Sequence, residues 1–246
     1  EQDVEAARMN TAGEYQGIGA AVRINRDRFT ILETYKGFPA DKAGLKPGDE
    51  IIKIGDIPVS DFKEDAGELL NGAPNTQIEI TYLRQGKTGN TTLTRGTVEL
   101  KAVPYYKLLD DNTGYIVLSR FNKNASSETI KALKDLQGKG AEKIILDLRG
   151  NPGGLLSEAI LVSNIFIDKG QLITSTKSVI EKYNQQYFTP NEPINTKIPL
   201  AVIIDGRSAS ASEIVAGAVQ DLDRGVVVGA RSFGKGLVPR PKKLVY

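Results

Sequence analysis

The chain has 246 residues and a net charge of +2, from 32 Lys and Arg against 30 Asp and Glu. Acids and bases are interspersed without a basic stripe, which argues against nucleic-acid binding, and no apolar run approaches the ~18 residues of a membrane span. Histidine and cysteine are absent; this removes Ser-His-Asp and Cys-His catalysis, a disulfide scaffold and most zinc chemistry, so neither a metal site nor a cofactor is expected.

Residues 1–14 are polar, show no clear period, and read as an approach segment. Tyr15 to Val22 then places Gly17-Ile18-Gly19 ahead of a strand. Phe29–Thr34 is a second strand, and Pro39–Leu45 is a short helix with proline in its first turn and Gly44 at its end. Glu50–Ile54 is a strand after the Lys46-Pro47-Gly48-Asp49 turn, and Asp61–Leu70 suits a helix with Phe62, Ala66, Leu69 and Leu70 on one side. Gln77–Leu83 alternates as a half-buried strand, with Ile78, Ile80 and Tyr82 on one face. Gln85-Gly86-Lys87 turns the chain into a last strand near Leu93.

This order of parts, with Gly44-Leu45-Lys46-Pro47-Gly48-Asp49-Glu50-Ile51-Ile52, resembles a PDZ domain over residues 15–101. The resemblance implies that Gly17, Ile18 and Gly19 form a loop whose backbone N–H groups capture a chain-terminal carboxylate, while the peptide adds as a strand to a sheet edge. Glycine fits such a loop because successive N–H groups can face one anion with no Cβ in the way.

From Lys101 onward strands and helices alternate, the mark of an α/β layer fold. Gly114–Ser119 is a strand. A helix opens at Ser126/Ser127 and stops at Gly138. Lys143–Leu148 is a buried strand that ends in Arg149-Gly150-Asn151-Pro152-Gly153-Gly154 and a helix from Leu155 to Phe166. Strand–turn–helix corners of this kind are where α/β folds place ligands. Asp147 and Arg149 are expected to bond each other or loop backbone. Residues 171–197 are polar, and Thr176–Tyr187 suits exposed strands or a flap. Ile198–Ile204 is a buried strand, and Glu213–Val219 has helical composition.

Between those last two elements lies Ser208-Ala209-Ser210-Ala211-Ser212. A corner there can hold a hydroxyl out of the sheet beside the first free N–H groups of the helix. A serine nucleophile needs a base, and without histidine the remaining solution is lysine. Lys235 lies downstream in Ser232-Phe233-Gly234-Lys235-Gly236-Leu237-Val238. On residue types alone, helix-capping serines and a solvated Lys235 are the commoner arrangement.

The serine stretch, the Phe233-Gly234-Lys235-Gly236 turn and Leu146–Gly154 resemble the carboxyl-terminal processing peptidases, PDZ-containing serine–lysine proteases. The resemblance implies a β-rich PDZ-like domain followed by an α/β peptidase core over residues 102–246. It places the nucleophile at Ser210 and the base at Lys235. It assigns oxyanion donors to the N–H of Ala211 and of Gly153 or Gly154, with Ser208 and Ser212 as supports. It implies protein or peptide substrates with free C-terminal tails and a periplasmic or extracytoplasmic setting, and an oligomer is compatible with it. A working lysine base must be neutral, which burial against Phe233, Leu237 and Val238 would favour. Four residues past the lysine the family carries a glutamine that positions the amine, and this chain has Pro239. The chain also stops at Tyr246 where family members continue with further strands, so the core reads as cut short at both ends. Two other readings stand beside the peptidase: a catalytically silent peptide-binding scaffold, which Pro239 favours, and an acyl-transfer enzyme using only an oxyanion hole, which leaves the PDZ-like region without a role.

Overall fold

A computed structural model describes residues 12–25, 28–61 and 69–237. Most of the helix anticipated over Asp61–Leu70 lies outside the described residues, as do Val238 and Pro239. The chain forms two compact units, one taking in Glu14–Leu100 and the other beginning at Lys101 and including Gly13.

The first unit is built on a mixed-length antiparallel sheet. Its strands are β2 (Ala20–Asn25), β3 (Arg28–Thr34), β4 (Glu50–Ile54), β6 (Gln77–Arg84) and β7 (Lys87–Thr94) in spatial order, with β5 (Ile57–Pro58) paired to β4. β1 (Glu14–Gly17) pairs antiparallel with β8 (Gly96–Glu99). The alternation read in β6 is realised, because Ile80 is buried while Ile78 and Tyr82 pack against the same core. That core joins Phe29, Ile31, Ile51 and Leu93 to Ile18, Ala40 and Leu45. Each such large apolar side chain, fully buried, contributes about 1.5–3 kcal/mol relative to exposure. The short helix α1 (Pro39–Lys42) starts on proline, whose missing N–H is no loss at a first turn.

The second unit carries a five-stranded sheet in the order β15 (Val226–Gly229), β14 (Leu200–Ile204), β11 (Lys143–Asp147), β10 (Thr113–Val117), β9 (Tyr105–Leu108). The first four run parallel and β9 runs antiparallel to β10. Parallel strands are covered on both faces, which is why β11 and β14 read as continuous apolar runs. Helices α2 (Ala125–Gly138), α3 (Leu156–Phe166) and α4 (Ala211–Asp221) supply Leu133, Phe166 and Val215 to a core shared with Ile116, Leu146 and Val202. A two-stranded ribbon, β12 (Leu172–Thr176) with β13 (Gln185–Phe188), brackets Thr176–Tyr187, the stretch read as exposed strands or a flap. Strands β1, β8, β9 and β15 are absent from the sequence reading. Each is only four residues long, too short for a period to show against its flanks.

β11 and β14 are parallel neighbours in the register Ile144↔Leu200 to Asp147↔Ile203. Their C-terminal ends therefore lie side by side at one edge of the sheet. The glycine-rich corner after β11 and the serine-rich corner after β14 are brought together by this pairing alone.

Candidate active site

The two corners are tied by hydrogen bonds from side chains of the second. The Ser208 hydroxyl donates to the Leu148 carbonyl at 2.8 Å and accepts the Asp205 N–H at 2.9 Å. The Ser212 hydroxyl donates to the Asn151 carbonyl at 3.0 Å, which also accepts the Ala209 N–H at 3.1 Å. Asp205 Oδ1 accepts the Gly150 N–H at 2.9 Å. Both Ser208 and Ser212 are fully buried. Asn151, also fully buried, reaches a third strand end by donating from Nδ2 to the Leu118 carbonyl at 2.8 Å. Asn151 and Asp205 were not singled out in the sequence, since a lone Asn or Asp in a turn has too many ordinary uses.

Ser210 stands apart from its neighbours. It is the N-cap of α4 with φ +54° and ψ −113°, a left-handed conformation that costs a non-glycine residue of order 1–3 kcal/mol and persists only where the surroundings enforce it. It is half-buried, its oxygen faces the Glu213 N–H in a capping box, and its hydroxyl proton is donated to no acceptor among the described residues. Of the three serines, it alone keeps its proton available to a base.

The glycine pair lies directly against it. Gly153 has φ +99°, and a Cβ there would stand 2.8 Å from Ser210 Cβ and 2.9 Å from the Ala211 nitrogen. Gly154 has φ +146°, and its Cβ would collide with the Phe121 carbonyl. The Gly153 N–H is already donated to Asn151 Oδ1 at 2.9 Å. No acceptor is found among the described residues for the N–H of Ala211 or Gly154.

The lysine turn is fastened to the same corner. Phe233 N–H donates to the Ser208 carbonyl at 3.0 Å. Glu213 Oε1 accepts the Ser232 hydroxyl at 2.8 Å and the Gly234 N–H at 2.6 Å. Glu213 Oε2 accepts the Ser210 N–H at 2.7 Å and the Lys235 N–H at 3.2 Å. Two bonds meeting at one oxygen put the backbone nitrogens of Ser210 and Lys235 within roughly 6 Å of each other. A lysine's four-carbon stem spans such a gap. The apolar walls anticipated for the amine are not formed by the described residues: Lys235 is exposed, and Phe233 and Leu237 are 66% and 72% exposed. The turn is held by the Ser232 hydroxyl and by backbone N–H groups, and the side chains of Phe233, Lys235 and Leu237 are left exposed.

Asp147 and Arg149 bond each other, as expected. The Arg149 guanidinium donates to Asp147 Oδ2 at 2.6 Å, and Tyr115 donates to the same oxygen. Burial pushes the Asp147 carboxyl up, but the bonds from Arg149 and Tyr115 outweigh it and hold it below its ordinary value of 3.8. The pair fixes the end of β11.

In the first unit, the Ile18 carbonyl accepts the Ala40 N–H at 2.7 Å and the Gly19 carbonyl accepts the Tyr35 N–H at 2.9 Å. Across a trans peptide the N–H points opposite its carbonyl, so these bonds turn the Gly19 and Ala20 N–H groups the other way. The N–H groups of Ile18 and Gly19 have no acceptor among the described residues. Gly19 has φ +72°, and a Cβ there would strike Phe38 Cβ. The Ile18 side chain is 2% exposed and belongs to the core. No group of His, Cys, Asp and Glu side chains suited to a metal occurs among the described residues, and no helix among them is long and apolar enough to cross a membrane.

A family model described as Peptidase family S41 matches residues 112–246, and one for the PDZ domain matches residues 16–94. The carboxyl-terminal-processing protease of Synechocystis is 36% identical over 240 residues, which cover 94% of this chain and 55% of that protein. The carboxy-terminal processing protease CtpA of Bacillus subtilis is 34% identical over 235 residues, covering 94% of this chain and 50% of that protein. The structure of a photosystem II D1 C-terminal processing protease aligns with a TM-score of 0.52 and 29% identity, covering 95% of this chain and 65% of that one. The chain thus spans about half the length of the curated relatives it matches.

Proposed function

Peptidase family S41 is the family to which this chain belongs, and on that premise we propose that it is a serine endopeptidase that grips protein C-terminal tails and cleaves near them with a Ser210–Lys235 dyad. Ser210 attacks the scissile carbonyl, and Lys235, as a neutral amine, takes the hydroxyl proton and later returns it to the leaving amine. An extended substrate lying over the corner would exclude water from the exposed amine, the condition under which lysine serves as a base. The oxyanion is received by the N–H of Ala211 and of Gly154, both without an acceptor among the described residues, while the Gly153 N–H is occupied and Gly153 instead allows the close approach. Gly17, Ile18 and Gly19 receive the substrate's terminal carboxylate through backbone N–H groups. An extracytoplasmic setting, where unfolded tails are trimmed, suits this activity.

The observation that carries the reading is Ser210 itself: a strained residue at a strand–helix corner, its proton donated to no acceptor among the described residues, packed against Gly153 and with its backbone nitrogen roughly 6 Å from that of Lys235. The test is cleavage of an unstructured protein bearing a C-terminal tag, run beside Ser210→Ala. Turnover by the unaltered chain alone supports the peptidase. Equal turnover by both proteins points to a contaminant. Turnover by neither favours the second reading, a silent tail-binding scaffold, for which Pro239 in place of the family's amine-positioning glutamine is the specific sequence observation.

A further inference from the structure

We propose that Glu213 is a positioning residue that latches the lysine turn to the nucleophile; the proposal rests on the peptidase reading above. A Glu three residues past a helix N-cap ordinarily closes a capping box by accepting the N-cap N–H. That accounts for one of the four hydrogen bonds Glu213 accepts, the one from Ser210 at 2.7 Å. The other three come from Ser232, Gly234 and Lys235, at 2.8, 2.6 and 3.2 Å. No cation pairs with this carboxylate among the described residues, so its charge is balanced by backbone and hydroxyl dipoles alone. Four donors saturate both oxygens, and each bond to a charged acceptor is of the strong kind.

The division between the oxygens matters. Oε1 grips the turn through Ser232 and Gly234. Oε2 joins the two proposed catalytic partners, because the N–H of Ser210 and the N–H of Lys235 meet on it. One rigid group therefore enforces the left-handed backbone of Ser210 and fixes the root of the Lys235 side chain. With Lys235 exposed and without packed walls, nothing else among the described residues fixes that root at the corner apart from the Phe233 N–H on the Ser208 carbonyl. A glutamine in its place keeps the volume but presents an NH2 to at least one pair of donors, and donors do not bond donors.

The experiment compares the unaltered chain, Ser210→Ala and Glu213→Gln in two measurements. The first is amide hydrogen exchange. Glu213→Gln should make the segment 232–236 exchange about tenfold faster or more, while β11 and β14 are unchanged. Unaltered exchange in 232–236 overturns the latch, and acceleration throughout the sheet shows general unfolding and overturns it too. The second is steady-state cleavage of β-casein, an unstructured protein. A misplaced base should lower kcat by roughly 100-fold with KM within about twofold. Retained kcat, or a loss carried by KM, overturns the positioning role. If the unaltered chain cleaves no faster than Ser210→Ala, the peptidase reading fails and the catalytic part of the proposal fails with it. The exchange arm then still decides, by itself, whether Glu213 anchors the turn.

Discussion

Ser208, Ser210 and Ser212 are alike in sequence and differ in what their hydroxyls do. Two are buried and donate to carbonyls of the neighbouring corner, and one keeps its proton. Alanine at each should therefore separate stability from activity. Ser208→Ala leaves the Leu148 carbonyl and the Asp205 N–H without that partner and should cost about 1–3 kcal/mol in urea unfolding. Ser210→Ala removes no donated bond but deletes the N-cap oxygen that faces the Glu213 N–H, so it should cost about 0.5–2 kcal/mol, the usual range for a lost cap, while abolishing cleavage. A stable, inactive Ser208→Ala beside an active Ser210→Ala would reverse the assignment. Lys235 can be tested by chemistry, because the chain has no cysteine of its own. Lys235→Cys should be inactive, and alkylation with 2-bromoethylamine, which rebuilds a primary amine on that single thiol, should restore a measurable part of kcat. No recovery after complete alkylation, shown by mass, would remove the amine from the reaction.

At the scale of elements, the site is made by two strands that end side by side. Apolar runs of five to seven residues followed by glycine- or serine-rich corners were enough to find both strands and both corners. Their adjacency was not legible, since β11 and β14 are far apart in the chain and register is a property of pairing. The Ser210-x-x-Glu213 spacing does carry a capping-box signal, but nothing local says that the same carboxylate also collects residues 232–235. The close fit of the corners makes Gly153→Ala a severe change: φ +99° disfavours any side chain, and its Cβ would press on the Ala209 carbonyl at 2.7 Å. Loss of activity with a destabilisation above about 3 kcal/mol is expected, on steric and backbone grounds together. Acid should loosen the corner in order. Burial raises the Glu213 carboxyl, but its four accepted bonds prevail and hold it below the ordinary 4.5. A folded value below the unfolded one gives stability that is present above the unfolded value and lost as pH falls through the folded one. The stability gap between the unaltered chain and Glu213→Gln should thus be full at neutral pH and shrink below pH 4.5. Asp205, held down to about 2 chiefly by the Gly150 N–H, should keep the two corners joined further into acid. A gap that grows on acidification would mean that the carboxylate is not the group being read.

Over the whole molecule, the chain has two units, each with a core of its own, and the proposed gripping and cutting fall in different ones. The division argues that they can be measured separately. The grip is proposed to act through backbone N–H groups on a carboxylate, not through the Ile18 side chain, which is 2% exposed and whose replacement by a charged residue would bury an unpaired charge and unfold the unit. The informative change is therefore in the peptide. A fluorescent peptide ending in a free carboxylate should bind the intact Ser210→Ala chain at least tenfold more tightly than its C-terminal amide, because hydrogen bonds to a charged group contribute about 1.5–3 kcal/mol. The same ratio should be found with Glu213→Gln, since the latch lies wholly within the other unit. Equal affinity for acid and amide would take the carboxylate away from Gly17-Ile18-Gly19. A ratio that collapses in Glu213→Gln would instead mean that the two units are energetically coupled, and that the state of the lysine turn is felt at the tail-binding loop.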